Sequence, residues 1–66
     1  MSETTLQTAR QQVSDQRVLI MKQETLIASM RREGGTKLEQ ANEDLKRMRD
    51  KLERMQAALD ELVFNS

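Results

Sequence analysis

Any chemistry in this chain has to be done without histidine, cysteine, tyrosine or tryptophan, none of which occurs in its 66 residues. That removes the usual nucleophile–base pairs, the imidazole and thiolate metal ligands, and disulfides. Charged groups are what remain, 11 acidic and 11 basic. The densest basic run, Lys46, Arg47, Arg49, Lys51 and Arg54, would suit phosphate, but Asp44, Asp50 and Glu53 are interleaved with it. Groups three or four residues apart are neighbours on a helix surface, so the run reads as a solvated, ion-paired helix face. Arg31, Arg32 and Lys37 form a smaller basic group around Gly34-Gly35. Cations are favoured at a helix C-terminus, which accounts for the two arginines without a ligand. Two glycines alone do not make a phosphate loop. No catalytic residue, cofactor-binding residue or metal ligand is assigned, and the chain is expected not to be an enzyme.

Two other groups of residues stand out by position. Gln16 and Gln23 fall on what is otherwise an apolar stripe, and a polar seam residue can specify register or oligomer state at some cost in stability. In a two-fold dimer each could meet its symmetry mate. The simpler reading is that the first helix rotates, turning Leu19 and Leu26 inward and the glutamines to solvent. Leu19 and Leu26, with Val18 and Met21 beside them, are more than one helix–helix seam can bury, and such a strip usually marks an interface. Leu19, Leu26, Gln16 and Gln23 are therefore the candidate oligomer interface. Of the five methionines, Met30, Met48 and Met55 fall on the seam and read as core filling.

The elements that position these residues are helices. Leu38, Ala41, Leu45, Met48, Leu52, Met55, Leu59 and Leu62 alternate at spacings of three and four, a heptad seam with charged and polar residues between. Leu6, Val13, Ile20 and Ile27 repeat every seven residues in the first half, with Ala9, Gln16, Gln23 and Met30 at the matching second position. Between the halves, Gly34-Gly35 supplies the residue type that ends helices in a left-handed conformation. Thr36, with Glu39 three residues on, is a capping-box pattern for a new start. Thr4 with Gln7 is a weaker form of the same signal. The expected fold is all-α: a single antiparallel helical hairpin over 1–66 of coiled-coil type, with helices over about 5–33 and 36–63 and a turn at 34–35. A continuous helix remains the rival, since Met30, Gly34 and Leu38 are spaced as a stutter, although mid-helix glycines cost ~1 kcal/mol each.

So short a chain buries only about 60% of its unfolded surface, and its single core rarely yields more than ~3–5 kcal/mol. With no disulfide or zinc to staple it, self-association is the expected remedy: a homodimer forming a four-helix bundle, with room for an unidentified protein partner. A net charge of zero makes nucleic acid an unlikely partner. No membrane partner is expected, because the longest apolar run, Val18 to Met21, is far short of the ~20 residues that span a bilayer. The opening residues lack a signal-peptide pattern, and a cytoplasmic protein is expected.

Val13, Ile20, Gln23, Leu26-Ile27, Met30, Gly35, Ala41, Leu45, Met48 and Leu52 resemble a group of short helical-hairpin proteins of rhizobia-like proteobacteria. Their pattern is a Val, then I-x-x-Q-x-x-L-I-x-x-L, a Gly turn, and A-x-x-L-x-x-M/L-x-x-x-L. The resemblance covers about residues 9 to 55. Members often carry Asp-Thr after the turn glycine, where this chain has Lys37-Leu38. The resemblance implies a bacterial helical hairpin and carries no activity. The architecture also looks like the RNA-binding plasmid regulator Rop, at the level of fold alone.

Three roles follow as expectations. The first is a protein-interaction or structural module, a homo-oligomeric hairpin acting as scaffold, adaptor or small regulator. The second is a small nucleic-acid-binding regulator of the hairpin-dimer type, disfavoured by the lack of a basic, aromatic-bearing face. The third is a helical accessory piece of a larger assembly.

Overall fold

The computed structural model describes residues 3–34 and 36–65; Gly35, expected in the turn, lies outside them. Two helices account for nearly all of these residues: α1 over Glu3–Glu33 and α2 over Leu38–Asn65. They pack against each other along their length as an antiparallel hairpin, 49 Å in its longest dimension and 15 Å in the next.

What ends α1 is a single left-handed residue. Gly34 takes φ 70° while its amide donates to the Met30 carbonyl at 2.9 Å, the single-bond glycine cap that satisfies one orphan carbonyl of the last turn. Arg31 and Arg32 occupy that turn, where the negative end of the helix dipole favours them. The chain does not run through the glycines as one helix.

Both sequence caps are displaced. α2 starts at Leu38, and its first bond runs from the Ala41 amide to the Lys37 carbonyl at 3.0 Å, so Lys37 rather than Thr36 holds the N-cap. Thr36 stands in the turn, taken up by the reversal of direction, and the box pairing it with Glu39 does not form. Glu39 nonetheless sits in the first turn of α2, where its charge favours the helix dipole. Thr4 lies inside α1, which is already helical at Glu3, and so caps nothing.

The core is one residue thick. Val13, Ile20, Ile27, Ala41, Leu45 and Leu59 are buried, together with Gln16. Ile20, Ile27, Ala41 and Leu45 form one cluster near the turn, with Met30, Leu38, Met48 and Leu52 half-buried against it. Leu6, Ala9, Met55 and Leu62, toward the open end, are also only half-buried. Among the described residues no side chain is sealed below 2% exposure. Two helices touching along one line can shield each contact residue on one side only, so this is the geometric limit of a lone hairpin.

Two stability changes test this account. A Cβ at Gly34 would meet nothing within 4 Å, so Gly34→Ala is opposed only by its left-handed backbone, and should lose ~1 kcal/mol or more. Gly34→Asn should lose less, and urea midpoints would rank the three; a stabilised Gly34→Ala would mean that the helix runs on. Leu45→Ala should cost ~2–5 kcal/mol, close to the whole stability of so small a chain. Loss of helical circular dichroism near room temperature is the expected readout, with Leu52→Ala milder because Leu52 is only partly buried.

Candidate interaction surface

With Leu6 and Leu38 both at position a of a heptad a–g, the hairpin has two edges, one on each side of the seam. Position e contributes Arg10, Arg17, Glu24 and Arg31 from α1, with Asn42, Arg49 and Gln56 from α2. Position g contributes Gln12, Leu19 and Leu26, with Asp44, Lys51 and Ala58.

The e edge is cross-linked by polar groups. Arg17 Nη2 donates to Gln56 Oε1 at 2.9 Å, and Arg49 Nη2 pairs with Glu24 Oε2 at 3.3 Å. Both links are exposed, so each contributes little beyond orientation, of order 0–1 kcal/mol. This edge carries four arginines against one glutamate, an asymmetry hidden by the zero net charge of the chain. Reading the e column of the heptads would have revealed it.

Inside the seam the two glutamines do what the rotated-helix reading did not allow. Gln16 is 5% exposed and its Nε2 donates to the Met48 carbonyl at 3.0 Å; Gln23 Nε2 donates to the Ala41 carbonyl, also at 3.0 Å. Helix α1 therefore keeps its glutamines inward and its leucines outward. A helical carbonyl has a second lone pair, so each amide is satisfied without breaking a backbone bond of α2. Each amide thus donates one hydrogen bond within the chain, and Gln16 also lines the groove on the g edge. Among the described residues no buried side-chain nitrogen or oxygen lacks a partner.

Leu19 and Leu26 remain on the g edge, 49% and 51% exposed. A shallow groove there is lined by Gln12, Asp15, Gln16, Leu19, Lys51 and Met55 and continues toward the open end past Ala9, Ala58 and Leu62. Val18 and Met21 do not belong to this strip. They line a separate depression with Lys22 and Thr25, because positions one residue before and two after Leu19 point about 100° and 200° away around a helix. The apolar surplus of α1 is two patches.

Within the basic run of α2, only two residues find acids. Arg47 lies 3.6 Å from Asp44, which also accepts a hydrogen bond from Gln40, and Arg49 crosses to Glu24. Asp50 and Glu53 have no ion-pair partner among the described residues. Among the described residues no group of carboxylates is placed to hold a metal ion, and no helix is long and apolar enough to cross a membrane.

Gln16 offers a test of whether its bond or its volume matters. Gln16→Ala should cost ~1–2 kcal/mol through the lost bond and the void. Gln16→Leu should be at least as stable as wild type, since filling such a site with apolar volume is often neutral or stabilising. Equal losses in urea denaturation would show that the amide–carbonyl bond itself supplies the stability.

Set against protein-family models, curated protein sequences and solved structures, the chain matches none.

Proposed function

We propose that this chain is a non-enzymatic protein-interaction or structural module, a homo-oligomeric coiled-coil hairpin that acts as scaffold, adaptor or small regulator. The observation that carries the reading is the pair Leu19 and Leu26, half-exposed on the edge of a hairpin in which no described residue is fully sealed. Surface area supports it. A monomeric protein of 7.7 kDa is expected to expose ~4,300 Å², and this hairpin exposes 5271 Å². The excess is of the order of the ~800 Å² that each partner buries in a standard interface. Pairing two hairpins as a four-helix bundle removes apolar surface from water at ~25 cal/mol per Å².

A second reading draws on Arg10, Arg17, Arg31 and Arg49 at position e: a nucleic-acid-binding regulator of the hairpin-dimer type, with the arginines on phosphates. Its support is thinner. Glu39, Glu53 and Asp60, against the one base Lys46, occupy the neighbouring position b of α2, and Phe64, the sole aromatic, is 89% exposed at the far end. Phosphate contacts would give affinity that falls steeply with salt. No mobility shift of bulk RNA or DNA is expected even at low salt.

Self-association makes stability depend on concentration. The thermal midpoint should rise over a roughly hundred-fold increase in protein concentration. Glu at both Leu19 and Leu26 should give monomers or unfolded chains by sedimentation, whereas Arg54→Glu on the outer face of α2 should change little. A wild-type chain that is a stable, fully helical monomer at micromolar concentration would sink the proposal.

A further inference from the structure

Four cross-links define how far each helix is slid along the other. Gln16 reaches Met48 and Gln23 reaches Ala41; Arg17 meets Gln56 and Glu24 meets Arg49. In both pairs, one heptad forward along α1 is one heptad back along α2. The same register sets the g edge in layers: Leu19 and Lys51 share one groove, and the same one-heptad step puts Leu26 level with Asp44 nearer the turn. Toward the open end Gln12 lies beside Ala58.

This layering is self-complementary under only one of the two rotations open to a face-to-face pair of hairpins. With the axis parallel to the helices, the turns share an end, α1 lies on the partner's α2, and each leucine is set against a charge. With the axis across the helices, midway between the two layers, the turns lie at opposite ends and α1 lies antiparallel on its own copy. Leu19 then meets Leu26 of the partner subunit, and Lys51 meets Asp44 of the partner subunit, each twice. The opposite edge is less suited, because its e positions carry no leucine and its charged groups are already cross-linked within the chain. We propose that a second copy of this chain covers the g edge in this antiparallel arrangement, the leucines driving association and the Asp44–Lys51 pairs choosing the orientation. The proposal rests on the homo-oligomeric reading and specifies its interface. Asp44 can take part through its second oxygen: Gln40 and Arg47 both engage Oδ1 and the side chain is 43% exposed, while Lys51 is exposed with no ion-pair partner among the described residues.

The test uses the full chain and sites where charge changes leave the seam untouched, with circular dichroism to verify helicity. Lys51→Glu alone, or Asp44→Lys alone, sets like charges together twice per dimer and should weaken dimerisation about ten-fold or more by sedimentation equilibrium. The double variant restores both pairs in reverse and should return to within about two-fold of wild type. Because the chain has no cysteine, Leu19→Cys and Leu26→Cys can be mixed in a thiol–disulfide buffer, and the mixed disulfide should exceed either homodisulfide. A monomeric wild type overturns the homo-oligomeric reading together with this one. A wild-type dimer indifferent to both charge variants, or one in which homodisulfides dominate, overturns this interface alone.

Discussion

Two side-chain amides tie the two helices of this hairpin together inside an otherwise apolar seam. Apolar packing along a heptad seam is forgiving, since sliding one helix by a heptad sets one leucine in the place of another. The amides discriminate at finer steps: a slide of one or two residues takes Nε2 off its carbonyl, whereas a whole-heptad slide offers the next seam carbonyl and is opposed by the short turn. Gln16 and Gln23 impose this condition at two levels one heptad apart, on the Met48 and Ala41 carbonyls. The exposed Arg17–Gln56 and Glu24–Arg49 links then follow the same register. The glutamines weaken the core as hydrophobic material and sharpen it as a specification.

The energetic position of the chain follows from its geometry. A seam between two helices buries each contact residue from one side, and here the best-shielded side chains are still a few per cent exposed. The cluster around Ile20, Ile27, Ala41 and Leu45 lies next to the turn, where Gly34 shortens the loop that has to be closed. Toward the open end, burial thins to half-covered Leu6, Ala9, Met55 and Leu62. Such a structure gains more than most from a partner, because one added layer would cover side chains that are already aligned and partly desolvated.

Its two edges are chemically unlike. One is bridged by arginine, glutamate and glutamine within the chain and carries excess positive charge. The other has leucines in two adjacent layers with opposite charges opposite them. Under the proposed dimer, the apolar strip would lie on one side of the seam and the charged, internally bridged edge on the other. Val18 and Met21 lie on neither edge and would stay exposed in a dimer built on the g edge.

The two helices and their reversal were legible in the sequence, because helical periodicity and a glycine stop are local signals: the three-four spacing from Leu38 to Leu62 depends on neighbours within a turn or two. Exact caps were not legible. Thr36 has the right chemistry for an N-cap, but how many residues the reversal consumes depends on where α2 must lie against α1, and that placed Lys37 there instead. The rotation of α1 was likewise beyond the sequence. Leu19 and Leu26 are more apolar than Gln16 and Gln23, so transfer free energy alone turns the leucines inward. Only the tertiary structure supplies the Met48 and Ala41 carbonyls that satisfy buried glutamines, and with them the choice of which face stays outside. The residue types on each edge could be read off the heptads; that Leu19 lies level with Lys51 and Leu26 with Asp44 is a property of the register, which no single helix contains.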